Sequence, residues 1–85
     1  MPYIKQVYRV KMEPSCFIAG NAGELNFQFT ILAQAYMKLH GLSYQTINDI
    51  VGALEGAKAE FQRRIVAPYE DRKIQENGDL YEQPV

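Results

Sequence analysis

The chain has 85 residues, 47% of them hydrophobic and 22% charged, a size that fits one small domain and excludes a multidomain enzyme. Nine Lys and Arg against ten Asp and Glu leave a net charge of −1, so no general phosphate-neutralising surface is expected, nucleic acid is not the expected partner, and little self-repulsion opposes association. A chain this short buries only about 60% of the surface its unfolded form exposes, and its single cysteine cannot staple it internally.

The first twenty residues carry two patterns. Ile4, Tyr8, Val10 and Met12 alternate as in a strand, while Ile4, Val7, Tyr8 and Val10 meet part of a helical spacing. The alternation favours an irregular or extended segment, which must pair with its own copy in another subunit or lie over the rest of the chain. Pro14 ends it, and Ser15 to Gly20 reads as a turn or a short helical piece. Cys16 has no adjacent Lys, Arg or His to activate it, so a buried, inert thiol is expected there.

Leu25, Phe29, Leu32, Tyr36 and Leu39 are spaced 4, 3, 4, 3, which predicts a helix over about residues 22–40. Asn21 followed by Glu24 forms a capping-box pattern, and Gly41 supplies the stop. Ser43 then caps a second helix, over 44–66, whose apolar positions are Ile47, Ile50, Val51, Leu54, Ala57, Phe61 and Ile65. The short connection forces the two helices antiparallel. Their stripes are expected to face each other in an all-α hairpin about 30 Å long.

Gly52 and Gly56 lie four apart in the second helix, although each costs about 1 kcal/mol relative to alanine in a helix interior. Close approach of another backbone explains the cost: either the first helix, or a helix of another subunit in a homo-oligomer interface. Pro68 predicts the end of the second helix and the first turn of a short C-terminal one, and residues 77–85 read as a polar tail of a single 1–85 domain. No apolar run approaches the roughly 20 residues of a membrane span, and no leader precedes the domain, so a cytoplasmic protein without a membrane partner is expected.

Five strings together resemble one family: Met1-Pro2-Tyr3-Ile4, Gly23-Glu24-Leu25-Asn26, Glu60-Phe61-Gln62-Arg63-Arg64, Pro68-Tyr69-Glu70-Asp71-Arg72-Lys73 and Asn77-Gly78-Asp79-Leu80-Tyr81. They are similar to short uncharacterised proteins of prokaryotes and their phages, grouped as a domain of unknown function. The likeness covers most of the chain from residue 23 onward, while residues 5–22 depart from the family's usual charged helix. It implies a small helical fold and a phage setting, and no reaction.

The densest charge cluster runs from Glu60 through Arg63 and Arg64 to Glu70, Asp71, Arg72, Lys73 and Glu76. One reading is helix capping and solvated ion pairs. The other is an anion site in which Arg63, Arg64, Arg72 and Lys73, with Tyr69 stacking, hold a phosphate or carboxylate between chains. A metal-dependent hydrolase of a phosphorylated substrate would draw on Glu24, Glu55, Glu60, Glu70 and Asp71, but no two of these form the i, i+3 or i, i+4 acidic pair such helices generally show. His40 suits the helix C-terminus, no Cys/His spacing for zinc exists, and Gly20-Asn21-Ala22-Gly23 lacks the frame of a phosphate loop. No catalytic residue, metal or cofactor is therefore assigned. The expected protein is a non-enzymatic, homo-oligomeric binder of an anionic, nucleotide-like ligand or an inhibitor of a host defence protein. A structural interaction module is the remaining alternative.

Overall fold

A computed structural model describes residues 3–13 and 17–81. Over these the chain is all-α: α1 (Gln6–Met12), α2 (Ala22–His40), α3 (Tyr44–Phe61), a π-helical turn (Gln62–Val66) and α4 (Ala67–Asn77). The hairpin of α2 and α3 is the one expected from the periodicity.

The extended reading of the first segment is corrected over residues 6–12. The Tyr8 N–H donates to the Lys5 carbonyl at 3.0 Å and the Glu13 N–H to the Arg9 carbonyl at 3.1 Å. A strand without a neighbour leaves its peptide groups unpaired, whereas a helix satisfies them within the segment. Residues 3–5 stay irregular, and Arg9 Nε ties them down by donating to the Ile4 carbonyl at 2.6 Å. The expectations for Pro14, Ser15 and Cys16 fall outside the described residues.

The caps of the hairpin form as read. The Asn21 side chain accepts from the Glu24 N–H at 2.9 Å, and the Glu24 carboxylate reaches back to the Gly20 N–H at 2.8 Å, one residue beyond the usual capping-box partner. Gly41 closes α2 with φ +80°, a conformation in which a Cβ is strained, and its N–H donates to the Met37 carbonyl at 2.8 Å. Ser43 Oγ accepts from the Thr46 N–H at 3.2 Å and starts α3.

At Pro68 the structure differs from expectation, because the helix does not stop. Phe61, Gln62, Val66 and Ala67 all keep right-handed helical angles, and the Ala67 N–H donates to the Gln62 carbonyl five residues back. This widened turn ends just before Pro68, whose missing N–H and bulky ring would disrupt a regular α-helical turn. Pro68 thus falls in the first turn of α4, where no intrahelical donor is required. Residues 44–77 become one rod of about 50 Å at 1.5 Å per residue, matching the longest extent of the molecule, 51 Å.

The hairpin's apolar stripes meet only in part, because Ile50, Leu54 and Ala57 of α3 line the groove to α2 while Ile47, Val51, Phe61 and Ile65 stay outside it. No apolar residue is buried among the described ones, and Thr46, 3% exposed, is the buried exception at the start of α3. Leu32 remains 68% exposed and Phe61 59%. The radius of gyration is 17.4 Å, against roughly 12 Å for a compact chain of this length. The accessible surface is 8114 Å², whereas a compact monomer of this mass exposes about 5,100 Å².

Candidate functional site

An open groove of about 460 Å³ runs between α2 and α3. Phe29, Leu32, Ala33 and Tyr36 line it from α2; Asp49, Ile50, Ala53, Leu54 and Ala57 line it from α3. The apolar spacing of both helices produces these walls, and one polar cluster lies at the turn end. There the Tyr36 hydroxyl donates to Asp49 Oδ2 at 2.8 Å, and Gln45 Nε2 donates to Asp49 Oδ1 at 2.7 Å. The His40 ring lies against Tyr36, with centroids 4.2 Å apart.

The electrostatics of this cluster make it a tie rather than an acid–base pair. Hydrogen bonds from Tyr36 and Gln45 hold the Asp49 carboxyl below its ordinary range. The same Tyr36–Asp49 bond pushes the tyrosine hydroxyl above its usual value. Both shifts move away from neutrality, opposite to the tuning that general acid–base catalysis needs. The cluster instead joins the two helices beside their short connection. The i, i+4 spacing of Gln45 and Asp49 was visible in the sequence, but nothing there pointed across the hairpin to Tyr36.

A second tie joins the first segment to the end of α3. The Tyr3 hydroxyl donates to Glu60 Oε2 at 2.6 Å, and Arg63 Nη2 bonds the same oxygen at 3.0 Å. Of the two arginines able to pair with Glu60, Arg63 makes the contact, while Arg64 acts on that carboxylate through space. These partners hold the Glu60 carboxyl below its ordinary range.

The other predicted ligand residues gather on α4. Arg72 and Lys73 both lie over the Tyr69 ring, 5.8 Å and 5.5 Å from its centroid, within cation–π reach. Lys73 Nζ also donates to Glu76 at 3.2 Å. Tyr69, Arg72 and Lys73 therefore form one exposed cationic–aromatic patch. Arg63 stands apart from it on the Glu60 carboxylate, a turn or more away along the rod. Beyond α4, Gly78 takes φ +89° and the Tyr81 N–H donates to Asp79 Oδ1 at 3.0 Å, folding the start of the polar tail back.

Gly52 has open space where a Cβ would stand, with no atom within 4 Å, so α2 does not approach α3 there. Among the described residues no three His, Cys, Asp or Glu side chains group together as metal ligands, and no helix is long and apolar enough to cross a membrane.

Set beside known families, the chain belongs to the family described as a domain of unknown function, DUF6899, whose model matches residues 1–80. The match takes in residues 5–22, where a departure from the family was expected. No curated protein and no solved structure matches the chain.

Proposed function

We propose that this protein is a non-enzymatic binding protein whose working form is an assembly of identical copies, holding an anionic, nucleotide-like small molecule between them. The observation that carries this reading is the lack of any buried apolar side chain among the described residues. Burial of apolar surface is the dominant favourable term in folding, so a single chain with its stripes exposed lacks the main source of stability. Association supplies it, and Gly52, with open space where a Cβ would stand, leaves room on α3 for another backbone to come close.

The anion would be held by Tyr69, Arg72 and Lys73, a stacking ring flanked by two cations. Arg63 and Arg64, in the turn before α4, would complete the site from a neighbouring copy through guanidinium hydrogen bonds. In a phage setting such an assembly would act in the host cytoplasm, withdrawing a nucleotide-like signal from a host defence system or inhibiting a host protein directly.

Light scattering on the purified protein, followed by thermal shift against a nucleotide panel with and without Mg²⁺, tests the reading. Expected are an oligomer and a midpoint raised by at least one nucleotide that is recovered unchanged. Charge reversal, Arg72→Glu with Lys73→Glu, should abolish that shift while leaving the helical signal in place. A shift that survives the reversal rejects the α4 patch, and Mg²⁺-dependent product formation would give the protein to the hydrolase reading instead.

A further inference from the structure

The outer flank of α3 carries an apolar stripe that touches the hairpin groove only at Leu54. Ile47, Val51, Leu54 and Phe61, with Ile65 in the π turn, are each between 43% and 59% exposed. With Lys58 between Leu54 and Phe61 their spacing is 4, 3, 4, 3, 4, the a/d pattern of a helix-packing seam. At 100° per residue the centre of this stripe lies roughly 100° around the helix from the side that lines the groove to α2. A helix in a square four-helix bundle has its two neighbours on adjacent sides. The hairpin supplies α3 with one of those neighbours and leaves the other side open, while Gly52 and Gly56 lie off the stripe.

We infer that a second copy of this chain covers the stripe, α3 packing antiparallel on α3 about a two-fold axis so that two hairpins close one four-helix core. Three features select this occupant and direction. Over the regular helix the spacing reads the same from either end, so an antiparallel copy meets it with Val51 opposite Phe61 and Leu54 opposite Lys58, while Ile65, in the widened turn, lies past that register. A parallel copy would stack Lys58 on Lys58, whereas the antiparallel one sets each Lys58 against Leu54 and one residue's rise from Glu55 of the other chain. Finally, the chain exposes about 3,000 Å² more than a compact monomer of its mass, and an obligate dimer buries about 1,000–2,500 Å² per copy. The uncovered surface is enough for a dimer of the obligate class.

This packing rests on the self-association proposed above, and its test separates the two. In the full chain carrying Cys16→Ser, Val51→Cys and Phe61→Cys variants are mixed and oxidised, then resolved on a non-reducing gel with peptide mapping. The expected result is a disulfide dimer linking 51 to 61, with little or none from Val51→Cys alone, whose two thiols stand ten residues apart along the seam. Leu54→Cys with Lys58→Cys gives the same readout at the seam's centre should the Phe61 variant fail to fold. Efficient cross-linking of Val51→Cys by itself, or an oligomer in which neither pair links, overturns the antiparallel seam and leaves self-association standing. A helical monomer in light scattering overturns both and assigns the stripe to a different protein.

Discussion

Diluting the purified protein a hundredfold should lower its thermal midpoint by about 8 °C at constant buffer and pH. With no buried apolar residue among those described and a surface of 8114 Å², the proposed pairing makes folding and association one event. For a two-chain unit the stability then depends on concentration, and a hundredfold dilution removes about 2.7 kcal/mol through mass action. Unfolding entropy near about 2.1 cal/mol/K per residue amounts to about 0.36 kcal/mol/K for a pair of chains. The ratio of these two quantities is the predicted displacement, about 8 °C. Helical circular dichroism followed through the melt at two concentrations measures it, using path lengths chosen to keep the signal constant. Superimposable, cooperative melts would refute the reasoning, because they would mean that one chain is stable with its stripes in water.

The local signals lead to separate outcomes. Asn21→Ala removes the acceptor of the Glu24 N–H and should cost about 1 kcal/mol in a denaturant melt; no change would mean that the Glu24–Gly20 bond alone secures the start of α2. Gly41→Ala forces a Cβ onto a residue at φ +80° and should destabilise by more than about 1 kcal/mol, although no atom crowds the site. For pH, the Asp49 and Glu60 carboxyls are depressed in the folded chain by their hydrogen-bonding partners, so the unfolded chain takes up protons first as the solution is acidified. Their contribution is complete above the ordinary carboxylate range and is lost as pH falls through the lower folded values. The thermal midpoint should therefore be flat from neutrality to about pH 5 and decline below about pH 4, and Asp49→Asn with Glu60→Gln should flatten that decline. An unaltered acid limb in the double variant would assign it to other carboxylates.

The α2–α3 hairpin was legible because its signals are local. Asn21, Gly41 and Ser43 act on backbone groups within three or four residues of themselves, and the 4, 3 spacing of apolar residues is set by helical pitch alone. The closeness of Arg72 and Lys73 to Tyr69 has the same local origin, since three and four residues apart on a helix means side by side. Sequence alone could not decide the form of residues 6–12, where two periods overlapped and the absence of a pairing strand among the described residues settled the matter. Nor could it show that the rod passes Pro68, because a π turn replaces one hydrogen-bonding pattern with another without a composition of its own. The choice of Arg63 over Arg64 for Glu60, the reach of Tyr3 to the same carboxylate, and the Tyr36–Asp49 tie all depend on atoms brought together from separate elements. Most consequential is the fate of the stripes. Periodicity establishes that a face is apolar, but whether it is buried depends on what the rest of the chain can place against it, and here only the tertiary structure revealed that the described residues leave the stripes exposed.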